Sequence, residues 1–254
     1  MIPYHDENKT LRTPVVTWAF IATNVLVWLT VQGAGSSLAL ARSVCNLGLI
    51  AGELTGAVPP GTGFEMGPGL VCLTDPGPQY SHVITSMFLH GSWLHLLGNM
   101  WFLYLFGNNI EDSMGPARFA VFYLLSGVAA ALLQVVLDPG SVLPMVGASG
   151  AISGVMGGYL MLYPRVHVHT FVPIGFFFMS VRLPAWTMLL YWLVIQFLGG
   201  FAAIAGAKSG GVAFWAHIGG FLAGLVLVKL FARRDYVAEH RASRWDPRRL
   251  GRAA

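Results

Sequence analysis

The chain has 254 residues, of which 55% are hydrophobic and only 10% charged, with a formal net charge of +4 and a mean hydropathy of +0.63. A soluble domain carries about 25% charged residues, so this composition excludes a water-soluble globular protein and places the chain in a bilayer. A short arm, residues 1–14, precedes the first charge-poor apolar run, Val15–Gln32. Runs of this kind, bounded by Pro, Gly and charge clusters, read as membrane spans. Ala39-Leu40-Ala41 behind it has the look of a signal cleavage site, but the run is long for a signal peptide and reads as a span. Asp6 and Glu7 in the arm argue against a transit peptide.

A loop over about 33–83 follows, rich in Gly and Pro (Pro59-Pro60-Gly61, Gly67-Pro68-Gly69, Pro76-Gly77-Pro78), and is expected to be mostly structureless. A loop this long in a compact protein is usually functional or partly embedded, and its apolar stretch Leu47–Leu54 is expected to lie along the membrane interface. Both cysteines, Cys45 and Cys72, fall in it. A disulfide between them would stabilise by ~3 kcal/mol on the chain-entropy account; two free thiols are the alternative. Five more spans follow at Trp93–Ile110, Ala117–Leu137, Val146–Tyr163, Leu183–Ala205 and Val212–Phe231, and a basic tail closes the chain at 233–254. No internal repeat is visible.

Six spans put every Lys and Arg except Arg42 and Lys208 on one side. The positive-inside rule makes that side cytoplasmic, with both termini inside and the 33–83 loop outside, as expected of a multi-pass protein of the cell (inner) membrane. The basic tail then serves as a topology anchor rather than a nucleic-acid or lipid-headgroup site.

Polar residues inside spans are candidates for function, and their depths agree. The second, fourth and sixth spans all run inward from the outer surface. His90 precedes the second, His95 and Asn99 lie in its outer half, Ser149 sits near the start of the fourth, and His217 near the start of the sixth. His95 and Asn99 are four apart, on one helical face. Ser149, in Gly147-Ala148-Ser149-Gly150, enters a helix whose first N–H groups lack intrahelical partners and can donate to a developing oxyanion. A serine is a poor nucleophile until a base takes its proton, and His217 is the base at matching depth. No Asp or Glu occurs between Asp138 and Asp235, so these spans offer a Ser-His dyad without a carboxylate. Gly150, Gly154 and Gly158 on the fourth span, and Gly220 and Gly224 on the sixth with Gly219 beside them, form small-residue stripes that allow close helix contact. Ser153 extends the first stripe. The fourth span, at ~1.5 Å per residue, falls short of a ~30 Å hydrocarbon core, leaving a wet depression above Ser149.

These residues resemble the rhomboid family of intramembrane serine proteases. The resemblance runs from about Gln79 to Phe231 and rests on His90-Gly-Ser-Trp-Leu-His95-Leu-Leu-Gly-Asn99, Gly147-Ala-Ser149-Gly150 and Ala216-His217-Ile-Gly-Gly220-Phe-Leu-Ala-Gly224. It implies an all-α bundle of six membrane helices over 15–232, with a short central fourth helix and a long embedded outer loop. It implies Ser149 as nucleophile, His217 as general base, and His95, Asn99 and the Ser149 N–H as oxyanion donors. His90 takes a supporting position, and Glu111, followed by Asp112, matches an acidic position at the inner end of the second span. The family's Trp-Arg before the second span is replaced by Ser81-His82, which bears on how the outer loop is braced. No cofactor or metal is implied. The implied partners are single-span membrane proteins, cut near the outer ends of their spans, with small residues at the cut and helix-breaking residues around it. The fifth span, with Trp186, Tyr191, Trp192 and Phe197, resembles a lateral gate; ordinary lipid-facing and packing aromatics are the other reading. A catalytically dead relative would lack Ser149 or His217. A histidine metal site lacks a carboxylate or cysteine at this depth, and a transporter would show inverted repeats or paired charges.

Overall fold

The computed structural model describes residues 1–67, 69–174, 177–205 and 212–243. Lys208 and the tail arginines from Arg244 onward, which enter the charge argument above, lie outside the described residues.

The helical frame comprises α1 (Val15–Thr30), α2 (Ser37–Leu47), α3 (Ala51–Thr55), α4 (His82–Thr85), α5 (Trp93–Met114), α6 (Pro116–Leu137), α7 (Ser149–Leu162), α8 (Ala185–Ile204), α9 (Phe214–Phe231) and α10 (Arg234–Ser243). Of these, α6, α8 and α9 are long and apolar enough to cross a membrane, and α1 and α7 are apolar but shorter. The chain is thus a mostly helical membrane protein. α7 stands at the centre: every residue from Gly150 to Tyr159 is buried, as a helix apolar all round requires. It packs against α5, α6, α8 and α9. The outer helices turn large apolar side chains such as Leu26, Val136, Leu198, Val226 and Leu230 away from the protein, the surface that lipid would cover.

α7 begins at Ser149, where the sequence places the entry into the helix, three residues inside the apolar run drawn from Val146. Gly147, at φ +132°, sits in a backbone region closed to side chains, so the chain turns into the helix at Ser149. Pro116 at the first position of α6 and Gly115 before it, at φ +80°, make the tight α5–α6 corner.

Two parts of the fold depart from expectation. The 33–83 loop is structured: besides α2 and α3 it holds an antiparallel hairpin of β2 (Gly63–Gly67) and β3 (Leu70–Leu73). Backbone hydrogen bonding satisfies groups that a structureless loop would leave to water. Leu49, Ile50 and Ala51 are buried, and Leu49 and Ala51 pack with Ala131 and Val135 of α6. Cys45 and Cys72 are bonded and join α2 to β3. Leu49 pairs with Met145 just before the Gly147 turn, Thr85 Oγ1 donates to the Leu47 carbonyl at 2.7 Å, and Glu53 accepts from the Asp75 N–H at 2.8 Å. Burial raises the pKa of the Glu53 carboxyl against that bond. These ties brace the loop where Ser81-His82 replaces Trp-Arg; His82 itself is buried. Reduction, or Cys72→Ser, should cost about 3 kcal/mol of stability and lower the thermal midpoint in detergent, an expectation checked by melting curves with and without reductant.

The second departure lies at the opposite end of α7. Here β1 (Ile2–Asp6), β4 (His167–Ile174) and β5 (Phe177–Pro184) form a three-stranded antiparallel sheet in the order β1-β4-β5. The N-terminal arm is therefore a strand, and Leu183-Pro184 closes β5 instead of opening the fifth span. Glu7 lies between His169 (2.9 Å) and Arg182, and the Arg182 hydrogen bond holds its carboxyl below the usual range. Asp6 accepts from Asn109 Nδ2 at 2.9 Å and Tyr159 O–H at 2.7 Å, tying the sheet to α5 and α7. Glu111 accepts from the N–H groups of Val16 and Thr17, at 2.9 and 2.7 Å, capping the N-terminus of α1. Asp112 accepts from the N–H groups of Leu11 and Arg12, at 2.9 and 3.1 Å, in the segment before α1. In the tail, α10 docks on this end through His240, which is fully buried, with one ring nitrogen 2.7 Å from Tyr163 Oη and the other 2.7 Å from the Lys9 carbonyl.

Candidate active site

The residues singled out from the sequence meet at one end of α7. Ser149 Oγ lies 2.7 Å from His217 Nε2, so α7 and α9 bring together two side chains separated by 68 residues. The approach rests on glycine. A Cβ at Gly220 would stand 1.9 Å from the Gly150 carbonyl oxygen, and one at Gly224 would stand 1.9 Å from that of Gly154. Gly158 continues the α7 stripe, between Phe122 of α6 and Val228 of α9, and Gly157 beside it faces the Phe221 carbonyl of α9. Gly219 faces Leu133 of α6 rather than α7. The stripe drawn from spacing holds, with Gly157 added to it on α7 and Gly219 turned to α6.

His95 leans over Gly147, where a Cβ would stand 2.8 Å from His95 Nε2 and 3.4 Å from Ser149 Oγ. The Gly91 N–H donates to His95 Nδ1 at 3.3 Å. With Nδ1 an acceptor, the ring proton lies on Nε2, beside the serine. Ser92 caps α5 by accepting from the His95 N–H at 3.1 Å, which holds the base of that ring. Asn99, one turn on, is buried, and its Nδ2 has no partner among the described residues. His90 is fully buried, its ring 5.2 Å from that of His95 and edge-on to it. It does not line the cavity that holds the serine. The first intrahelical bond of α7 runs from the Ile152 N–H to the Ala148 carbonyl, so the N–H groups of Ser149 and Gly150 are left over at the helix start. Ser153 Oγ donates back to the Ser149 carbonyl at 2.6 Å.

Ser149, His95, Asn99 and His217 line an open cavity of about 750 Å³, walled by apolar residues such as Met87, Phe102 and Met156 and by Trp192. Three glutamines frame it that the sequence reading passed over. Gln196 Oε1 lies 2.8 Å from His217 Nδ1. Gln32, at the end of the first apolar run, clamps the His90 backbone by a bond of 2.8 Å in each direction. Gln134 of α6 accepts from the Ala216 N–H at 3.3 Å, capping α9 one residue before His217. Each is an amide in an apolar run, the signal that drew attention to Asn99. On α8, Trp186 and Tyr191 are exposed, Trp192 turns inward to stand 5.8 Å from the His217 ring, and Phe197 packs against Trp215. α8 is also the least enclosed of the three long helices, 22% buried against 39% for α6 and α9.

The arrangement matches relatives by sequence as well. Residues 77–234, more than half of the chain, match the family model described as the Rhomboid domain. The putative rhomboid protease YdcA of Bacillus subtilis (strain 168) is 30% identical over 149 residues, 59% of this chain and 62% of that protein. Rhomboid protein 1, mitochondrial, of Saccharomyces cerevisiae is 28% identical over 151 residues, 57% of this chain and 40% of its own length. The chloroplastic rhomboid-like protein 11 of Arabidopsis thaliana is 38% identical over 77 residues, 30% of this chain and 27% of that one. The chain thus spans between about a quarter and three fifths of these relatives. With the family model covering α4 to α9 and all of the residues lining the cavity, the chain belongs to the rhomboid family.

Proposed function

We propose that the protein is an intramembrane serine endopeptidase that cuts single-span membrane proteins near the outer ends of their spans. The observation that carries this reading is the 2.7 Å approach of Ser149 Oγ to His217 Nε2 at the mouth of α7. In this mechanism His217 takes the serine proton as Oγ bonds to the scissile carbonyl carbon. The carbonyl oxygen becomes an oxyanion held by the Ser149 N–H, the His95 Nε2–H and Asn99 Nδ2. His217 passes its proton to the leaving amine, the C–N bond breaks, and an acyl-enzyme remains on Ser149. A water from the open cavity, deprotonated by His217, attacks the ester; the proton then returns to Ser149 and the carboxylic product leaves.

A peptide in a continuous helix keeps its carbonyls occupied, so substrates must unwind locally before Ser149 can attack. Small or helix-breaking residues near the cut favour that step, and an apolar cavity walled by Met and Phe suits them. The membrane domain extends over 15–232 with six spans formed by α1, α5, α6, α7, α8 and α9. Both termini are cytoplasmic, and the cavity opens to the far side of the cell membrane. Here β1, β4, β5 and α10 cover the cytoplasmic end of α7, while the disulfide-bonded loop sits on the oxidising side. α8 is the lateral gate, which its low burial supports.

A fluorophosphonate probe should label the detergent-solubilised protein, and Ser149→Ala should end both labelling and cleavage of a tagged single-span protein. Cleavage that persists in Ser149→Ala and stops on metal chelation would overturn the serine reading. Asn99→Ala should lower kcat by an amount worth ~2–4 kcal/mol with little change in KM, since it removes a donor used in the transition state. Unchanged turnover would remove Asn99 from the oxyanion site.

A further inference from the structure

We infer that Gln196 is a positioning residue for His217, supplying through a neutral amide the orientation that a carboxylate gives in a soluble serine protease. The inference rests on the protease reading above and adds a third member to its Ser-His pair.

The geometry fixes the proton. Gln196 Nε2 donates to the Trp192 carbonyl one turn back on α8, at 3.4 Å. The reversed amide would set two acceptor oxygens against each other, so Oε1 is the atom that faces His217 Nδ1 at 2.8 Å. An acceptor there requires the proton on Nδ1. That leaves the lone pair on Nε2, aimed at the Ser149 hydroxyl 2.7 Å away, which is the tautomer a general base needs. Trp192 lies against the ring at 5.8 Å and limits its rotation from the side.

An amide suits this depth. Gln196 is buried, and an ionised carboxylate there would carry the cost of an unpaired charge within the bilayer. Gln196 does not line the cavity, so it touches His217 without touching a bound peptide. The bond also links the base to α8: a shift of that helix that stretches it beyond about 3.5 Å releases the ring. The titratable group across the cavity from His217 is His95 of α5, while the neighbours at its level on α6, α7 and α8 are the neutral Gln134, Ser149, Trp192 and Gln196.

Two near-isosteric variants test this in the full detergent-solubilised chain, by cleavage of a tagged single-span protein and by the pH dependence of fluorophosphonate labelling. Gln196→Met removes the acceptor and should lower kcat about 10–100-fold, as loss of an orienting partner does, with KM and melting temperature held near wild type. Gln196→Glu restores the acceptor and adds charge; it should recover part of the lost rate. Its carboxylate favours the imidazolium, so the acid limb of labelling should move to higher pH by about one unit or more. Gln196→Met turning over within twofold of wild type would overturn the inference. So would Gln196→Glu as impaired as Gln196→Met with an unmoved acid limb. Failure of the protease reading itself shows elsewhere, in wild-type protein that neither cleaves nor labels, or in Ser149→Ala that still does.

Discussion

Ser149→Ala and His217→Ala should each reduce cleavage of a tagged single-span protein to the same floor, a fall of about 10⁴–10⁶-fold in kcat, and the double variant should be no worse than either alone. In the proposed mechanism the two side chains act as one unit. Without the imidazole, the hydroxyl must lose its proton to water; without the hydroxyl, the imidazole has no nucleophile to activate. What survives is the stabilisation offered by the helix start, His95 and Asn99, which does not need the pair. Melting temperature should move little for Ser149→Ala, because Ser149 lies at the edge of the cavity and the change removes only one oxygen. Cleavage time courses over several days, beside labelling and melting curves, provide the check. A His217→Ala protein that kept more than a tenth of wild-type turnover would mean that another group takes the proton.

Much of this site was legible because hydrocarbon makes polarity conspicuous. Ser149, His95, Asn99 and His217 stand out in runs with almost no other hydrogen-bonding groups, and the charge bias in the connections assigns them a common depth. Gln196 was no less conspicuous, but its partner depends on how α8 and α9 face each other. That is a matter of packing that neither sequence states, and the aromatics around it drew the attention instead. The glycines show a similar limit. Spacing of four suggests a stripe, yet each step of four residues turns about 40° round a helix, so Gly158 has drifted about 80° from Gly150. Gly157, seven residues on, returns to within about 20° and lies against the Phe221 backbone of α9, while Gly158 meets the Val228 side chain of the same helix.

The outer loop and the sheet were hidden for different reasons. Gly and Pro in the loop mark turns and by themselves say nothing of what lies between them, where the Phe64 and Cys72 stretches pair as strands. The strands at 167–174 and 177–184 lie between two apolar runs, where the arginines speak to topology and the short alternation of His167, His169 and Phe171 with Val168 and Thr170 is the one local sign of a strand. Pairing with Ile2–Asp6 comes from the far end of the chain, and such non-local contacts leave little trace in either segment alone.

Gly220→Ala should damage both stability and catalysis, and it isolates the close approach of α7 and α9 from the chemistry. The added methyl would stand 1.9 Å from the Gly150 carbonyl oxygen, a backbone atom that no rotamer can move aside. α9 has to retreat from α7 by more than an ångström to restore van der Waals distance. Alanine gains about 1 kcal/mol in helix propensity over glycine, but overpacking against a backbone costs about 3 kcal/mol or more, so the net effect is a loss and the melting temperature falls. His217 lies one turn before Gly220, so the same retreat draws its Nε2 away from Ser149 Oγ. A misplacement of about 1 Å between reacting groups costs on the order of 10²-fold in rate, and kcat should fall accordingly in whatever fraction remains folded. Gly158→Ala provides the contrast on α7. Its methyl would meet the Phe122 ring at 3.3 Å and Val228 at 3.5 Å, side chains that can yield by a few tenths of an ångström, and both activity and melting temperature should stay near wild type. Equal tolerance of alanine at Gly220 and Gly158 would mean that α7 and α9 do not touch through their backbones, and that Ser149 and His217 are held together by something else.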